Sequence, residues 1–235
     1  RFGIFIENVE KINRLNAENS GVKFAINKFA DLTATEFTAQ YASSYFPKTN
    51  KRFVEANSIT LPEENLPASV DWRNKGAVTP VKDQGKCDAG WAFSTTGLLE
   101  GFYFINNGKL LSFSEQQLVD CTSRSFGCLG GYPASAVNYA AKNGLELEDD
   151  YPYTAKGGKC KYDKNKAITV AGGYKFLTPK SAEQLKAALV NSPVSVVVEA
   201  GDAFQLYKSG VVTKDCGAKV DHAVLAVGYE KVDGV

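Results

Sequence analysis

Along the first stretch of the chain, Phe5, Ile12 and Leu15 recur near every 3.6 residues with Ile4 and Val9 close by, which predicts an amphipathic helix. Such a helix cannot bury its apolar side alone and needs a partner surface. Val22, Phe24 and Ile26 then alternate as a short strand. Thr33, with Glu36 three residues on, supplies a capping box for a further helix. From Tyr41 to about Asn65 the text is polar, carries Pro47 and Pro62 and holds no period, so it reads as an extended, exposed linker and a natural place for cleavage. Trp91, Thr95, Leu98, Leu99 and Phe102 fall at helical intervals, which puts position 90 at a helix start. Leu111 to Cys121 predicts a second helix capped by Ser112 or Ser114, and Ala134 to Asn143 a third that Gly144 ends. Ser181 and Gln184 fit a capping box ahead of one more helix. Beyond it the period shortens to valine-rich strands: Val194 to Val198, Gly210 to Val212, and His222 to Tyr229. A mostly helical half followed by a strand-rich half is an α+β arrangement.

Composition narrows the function classes. With 235 residues and 44% hydrophobic content, one large domain or two small ones can bury a core. A net charge of +1 does not suggest nucleic acid or an anionic membrane as partner. There is no run of about 18 apolar residues, hence no membrane span. Methionine is absent even from position 1 and no signal peptide precedes Arg1, so the chain looks like a window cut from a longer precursor. The five cysteines, Cys87, Cys121, Cys128, Cys160 and Cys216, form no close Cys-x-x-Cys pair, and His222 is the only histidine. That argues against a metal site. No cofactor is implied.

The stretch that organises the rest is Gln84 to Ser94, Gln-Gly-Lys-Cys-Asp-Ala-Gly-Trp-Ala-Phe-Ser. Taken alone, Asp88, Ala89 and Gly90 make an ordinary turn and helix start. With their flanks they resemble the Gln-Gly-x-Cys-Gly-Ser-Cys-Trp-Ala-Phe segment of papain-type, cathepsin L-type cysteine proteases. The resemblance makes Gln84 the oxyanion-hole glutamine, Cys87 a structural half-cystine and Gly90 the position of the nucleophile. A lone histidine on an apolar strand is more often a core residue than a catalyst. Here Val-Asp-His-Ala-Val-Leu-Ala-Val-Gly-Tyr, from Val220 to Tyr229, matches the family's general-base segment about 130 residues after position 90.

The same resemblance implies a helical inhibitory propeptide over 1–65 and a two-lobe peptidase domain over 66–235, with a helical lobe, a β-barrel-like lobe and a substrate cleft between them. Arg1, Phe5, Asn8, Ile12 and Asn16 follow the spacing of the propeptide signature, and Asn27, Phe29 and Asp31 follow its second motif, with Ala25 where glycine is usual. The text from Leu66 to Gln84 resembles the mature amino terminus, which places cleavage near Leu66. Gly130, Gly131, Tyr132, Pro133, Val197, Asp221 and Ala223 are implied as substrate-binding, with an apolar S2 pocket for bulky hydrophobic residues. Cys87 is implied to pair with Cys128 and Cys121 with Cys160; the partner of Cys216 and the orienting asparagine would follow Val235. The implied partners are a peptide or protein substrate and the chain's own propeptide as inhibitor. The implied setting is the secretory pathway, ending in a lysosome, a vacuole or outside the cell.

Gly90 sets this chain apart, since a thiolate is the attacking species and glycine has no side chain. Two explanations stay open: a single replacement that stops a zymogen from cutting itself, or drift after activity was lost. Asp88 and Ala89 depart as well, and a carboxylate beside the helix start raises a neighbouring thiol's pKa. The chain therefore reads either as a disabled endopeptidase precursor or as a pseudoprotease that binds without turnover. A serine nucleophile is disfavoured, because Ala89 has no hydroxyl and Ser94 sits a turn into the helix, facing elsewhere.

Overall fold

The computed structural model describes residues 1–42, 51–170, 172–214 and 216–231, leaving out the side chains of 51–53. In chain order the elements are α1 (Phe2–Glu18), β1 (Val22–Phe24), α2 (Ala34–Tyr41), α3 (Lys51–Ala56), β2 (Ser58–Ile59), β3 (Val70–Asp71), α4 (Gly90–Asn107) and α5 (Glu115–Cys121). There follow α6 (Pro133–Asn143), β4 (Phe176–Leu177), α7 (Ala182–Asn191), β5 (Val194–Val198), α8 (Asp202–Gln205), β6 (Tyr207–Gly210), β7 (His222–Ala226) and β8 (Gly228–Tyr229). They form two compact units, one of Arg1–Ser43 with Val197–His222 and one of Ser44–Val196 with Ala223–Val235.

In the first unit, α1 meets the partner surface its apolar face needs. Ile12, Val22 and Phe24 from the amino-terminal segment share a core with Ala203 and Leu206, and Leu32, Phe37 and Ala42 share another with Ala200. β1 pairs antiparallel with β6, Val22 opposite Gly210 and Phe24 opposite Tyr207, with a bulge between Lys23 and Phe24. Buried amides fix the turns between these elements. Asn8 Nδ2 donates to the carbonyls of Ala30 and Leu32, both at 2.8 Å, and Gln205 Nε2 to those of Phe29 and Leu32 at 3.1 and 2.9 Å. Thr33 and Glu36 form the capping box as expected.

Three expectations shift here. The strand after α1 stops at Phe24, because Asn16 pairs with both backbone groups of that residue, and Ile26 is left exposed. The strand expected from Gly210 to Val212 lies earlier, at β6; Gly210 has φ +91°, and a Cβ there would collide with the carbonyl of Gly21. The expected linker is partly structured: α3 and β2 lie within it, and β2 pairs in parallel with β4. Pro47 and the rest of 43–50 lie outside the described residues.

The second unit is built on α4, whose core-facing residues Trp91, Ala92 and Leu99 pack with Phe113, Leu118, Ala136, Ala140 and Leu145. Phe102, expected on that face, is 44% exposed, while Glu100 is buried in its stead. The reason lies across the fold. Lys82 Nζ sits 2.9 Å from Glu100 Oε1 and 2.7 Å from Glu115 Oε1, and Thr79, Thr96 and the Phe113 N–H complete the two carboxylates. A charge so paired can be buried where an unpaired one cannot. Ser114 caps α5 through the Gln117 N–H, and Gly144, at φ +77°, follows α6 as expected. Cys87–Cys128 and Cys121–Cys160 are disulfides, and the exposed Cys216 has no disulfide partner among the described residues.

Candidate active site

In the second unit, two segments meet where the sequence places most of the candidate residues. Cys87 and Cys128 join them covalently, the Asp88 N–H donates to the Cys128 carbonyl at 3.1 Å, and Asp88 and Leu129 form an isolated parallel bridge. Gly90 opens α4 and is buried, as are Asp88, Ala89 and Trp91. The eighteen residues of α4 present backbone N–H groups and the positive end of a helix dipole at this point, which favours an anion.

The glycine loop is shaped against the same tryptophan. Trp91 Nε1 donates to the Gly127 carbonyl at 3.2 Å, and the Phe126 N–H to that of Gly130 at 2.8 Å. Gly130 has φ +106°. A Cβ on Gly131 would lie 2.6 Å from Trp91 Cδ2 and 2.7 Å from Ser125 Cβ, so only glycine fits without displacement. Tyr132 follows as the N-cap of α6 and Pro133 as its first residue.

Gln84 is held from a direction the sequence did not single out. Tyr153 donates its hydroxyl to the Gln84 carbonyl at 2.7 Å and packs edge-on against Phe93, at 4.8 Å between ring centroids. Burial, with the carboxylates of Glu115, Asp83, Glu148 and Asp88 around it, holds the phenol protonated. Its only trace in the sequence is the Tyr-Pro-Tyr run at 151–153, aromatic text beside a turn.

The first unit holds Val197, Asp221 and His222, while Ala223, 2% exposed, falls to the second. Asp221 Oδ1 accepts from the Ala200 N–H at 2.8 Å, and the Asp221 N–H donates to the Val198 carbonyl at 3.0 Å, which anchors the chain just ahead of the histidine. Burial raises the Asp221 carboxyl, and the Ala200 N–H offsets part of that rise. His222 begins β7, and its Nδ1 is buried with no hydrogen-bond partner among the described residues. Burial pushes its imidazole down from 6.5 to about 4. Val197 is 45% exposed.

Among the described residues no group of histidine, cysteine and acidic side chains could hold a metal ion, and no helix is long and apolar enough to cross a membrane.

The family models agree on two regions. Residues 66–235 match the papain family cysteine protease model and residues 1–37 the cathepsin propeptide inhibitor domain. Caricain of Carica papaya is 46% identical over 236 residues, covering all of this chain and 68% of caricain. Chymopapain of the same plant is 44% identical over 238 residues, again with 100% and 68% covered. Among solved structures, the recombinant stem bromelain precursor superposes with a TM-score of 0.88 at 34% identity, covering 98% of this chain and 75% of that one. Procathepsin L 3 of the Tenebrio molitor larval midgut gives 0.87 at 36% identity, covering 98% and 77%. With an α+β fold shared with these proenzymes, a propeptide domain ahead of the peptidase region and disulfides within it, this chain belongs to the papain family of cysteine proteases.

Proposed function

We propose that the chain is the precursor of a cathepsin L-type endopeptidase that cannot hydrolyse peptide bonds as written. The observation that carries this is Gly90 at the first residue of α4, where the family's chemistry calls for a sulfur and the chain has no side chain at all. The other roles follow the family's pattern. Gln84 is the oxyanion donor and His222 the general base. Gly130, Gly131, Tyr132, Pro133, Val197, Asp221 and Ala223 form the substrate subsites, and residues 1–65 are the inhibitory propeptide of the 66–235 domain. The oxidised cysteines support a secretory route to a vacuole, a lysosome or the cell exterior.

A second reading, a pseudoprotease that binds peptides without turnover, is favoured by Asp88. This carboxylate is 2% exposed two residues before the helix start, where it opposes a thiolate.

Turnover of a peptide with a bulky hydrophobic P2 residue, after acid and trans-proteolytic removal of the propeptide, separates the readings. The unaltered chain is expected to show none and to resist alkylation by an epoxide inhibitor. In Gly90→Cys the thiolate would attack the scissile carbonyl carbon, the His222 imidazolium would give its proton to the leaving amine, and water would then cleave the thioester. A rise of about 10³-fold or more over background in that variant supports the disabled precursor. Peptide binding to the unaltered chain with no rise in Gly90→Cys favours the pseudoprotease. Turnover by the unaltered chain that disappears in His222→Ala overturns both.

A further inference from the structure

The sequence holds two Asn-Gly junctions, and the fold puts both in the same setting, the end of a helix: Asn107 closes α4 and Asn143 closes α6. Each asparagine ties its side-chain amide to the carbonyl four residues back, Asn107 Nδ2 to Tyr103 at 3.0 Å and Asn143 Nδ2 to Tyr139 at 2.9 Å. In each, the glycine N–H donates to the next carbonyl along, Gly108 to Phe104 and Gly144 to Ala140, both at 2.8 Å. Beyond these shared bonds the two ends differ. At α6 the Asn143 carbonyl accepts from the Tyr162 hydroxyl at 2.6 Å and the Gly144 carbonyl from Gln117 Nε2 at 3.3 Å, while Leu145 exchanges both backbone bonds with Ile168 at 2.9 and 2.8 Å. Gly144 is buried, and a Cβ on it would lie 2.7 Å from the Ile168 carbonyl oxygen. At α4, Asn106, Asn107, Gly108 and Lys109 are all exposed, and a Cβ on Gly108 would meet nothing within 4 Å. Among the described residues no hydrogen bond from outside α4 reaches Asn106, Asn107 or Gly108.

An asparagine followed by glycine can lose its side-chain amide within the chain. The glycine nitrogen attacks the asparagine side-chain carbonyl carbon, the bond to the side-chain nitrogen breaks, and that nitrogen leaves as ammonia with the proton of the glycine N–H. Water then opens the cyclic imide to aspartate or isoaspartate, and nothing is oxidised or reduced. Glycine allows the approach because no Cβ stands beside its nitrogen. The helical bonds described above tie up both reacting groups, so the reaction runs only in molecules whose last turn has opened, and its rate falls with that fraction. We propose that Asn107 is a site of this self-modification and that Asn143, the same dipeptide at the same helical position, is protected from it. The product places a carboxylate at the C-terminal, negative end of the α4 dipole. Its isoaspartyl form also lengthens the backbone just ahead of Gly108, whose φ of +69° closes the helix. Aged molecules therefore carry a looser end on the helix that begins at Gly90, however that glycine is read.

The unaltered full chain supplies its own control. It is kept folded at mildly alkaline pH, sampled over time, digested and mapped by mass spectrometry, which assigns each amide-to-acid conversion to its residue. Conversion at Asn107 is expected to outrun that at Asn143 by about tenfold or more in the folded chain. After reduction and unfolding in urea the two rates should agree within about threefold, since the dipeptides are the same. Hydrogen exchange reads the opening directly, with the Gly108 amide exchanging about tenfold or more faster than that of Gly144. Gly108→Ala should cut the Asn107 rate by about tenfold or more, because the methyl has room in the fold but crowds the attacking nitrogen. Equal rates at the two asparagines in the folded chain overturn the proposal, as does a Gly144 amide that exchanges as fast as that of Gly108. A tenfold difference that persists in urea, or an Asn107 rate unchanged in Gly108→Ala, overturns it as well.

Discussion

Among the described residues Lys82 is the single cation paired with two carboxylates that are each 1% exposed, so Lys82→Met strands both. In the intact protein, burial raises the Glu100 and Glu115 carboxyls and the attraction of Lys82 offsets part of the rise; Glu148 adds a further upward push on Glu115. Lys82 itself is lowered by burial and raised further by Glu115 and Glu100, for a net increase. Carboxyls raised on folding bind protons that the unfolded chain has already released. Their contribution to stability is therefore full below the ordinary carboxyl value of 4.5 and is lost as pH rises through their folded values. Without Lys82 the rise is larger and that loss deeper. Leaving a buried charge unpaired costs about 3–5 kcal/mol, which sets the expected loss at pH 7. Near pH 4 the two acids are neutral and keep their bonds to Thr79, Thr96 and the Phe113 N–H, so the loss should shrink to about 1–2 kcal/mol. Urea unfolding read by tryptophan fluorescence reports this unit alone, since Trp72 and Trp91 are the only tryptophans and both lie in it. Equal losses at the two pH values, or a loss under about 1 kcal/mol at pH 7, would refute the reasoning.

Gly131→Ala places a methyl 2.6 Å from the fully buried Trp91 ring and should cost about 1–3 kcal/mol with a shift in Trp91 emission; a melting temperature and spectrum equal to those of the parent would count against the packing described. The lone histidine gives one set of imidazole signals, and its NMR titration should centre near about 4 instead of 6.5. On the linkage, this depressed value contributes stability above the unfolded value that is lost as pH falls toward the folded one. A midpoint at 6.5 would show the ring open to water.

What could be read from the sequence was what is settled locally. Thr33 and Glu36 sit three residues apart and satisfy each other, so their capping box is present as written. The start of α4 at Gly90 was legible because apolar spacing after it is helical and a turn precedes it. Ser181 and Gln184 have the same spacing, yet Gln184 pairs with Leu61, a partner 123 residues away that no local rule contains. Glu100 displaced Phe102 from the interior for a related reason, since a charge inside depends on Lys82 standing 18 residues upstream. Around the start of α4, the glycines of the 127–131 loop stand out in the sequence, whereas Tyr153 holding Gln84 spans 69 residues and left only an aromatic run.

The two cores of the first unit set a timetable. Ile12, Val22, Phe24, Leu32 and Phe37 are packed on Ala200, Ala203 and Leu206, so each core is complete only when both parts of the chain are present. Ala200, the first of those partners, follows Ala42 by 158 positions in the chain. At about 5–20 residues per second of synthesis, the amino-terminal segment waits about 8–30 s after leaving the ribosome before its partners appear. During that interval the apolar side chains that Ala200, Ala203 and Leu206 later cover stay uncovered, which leaves the nascent chain open to aggregation.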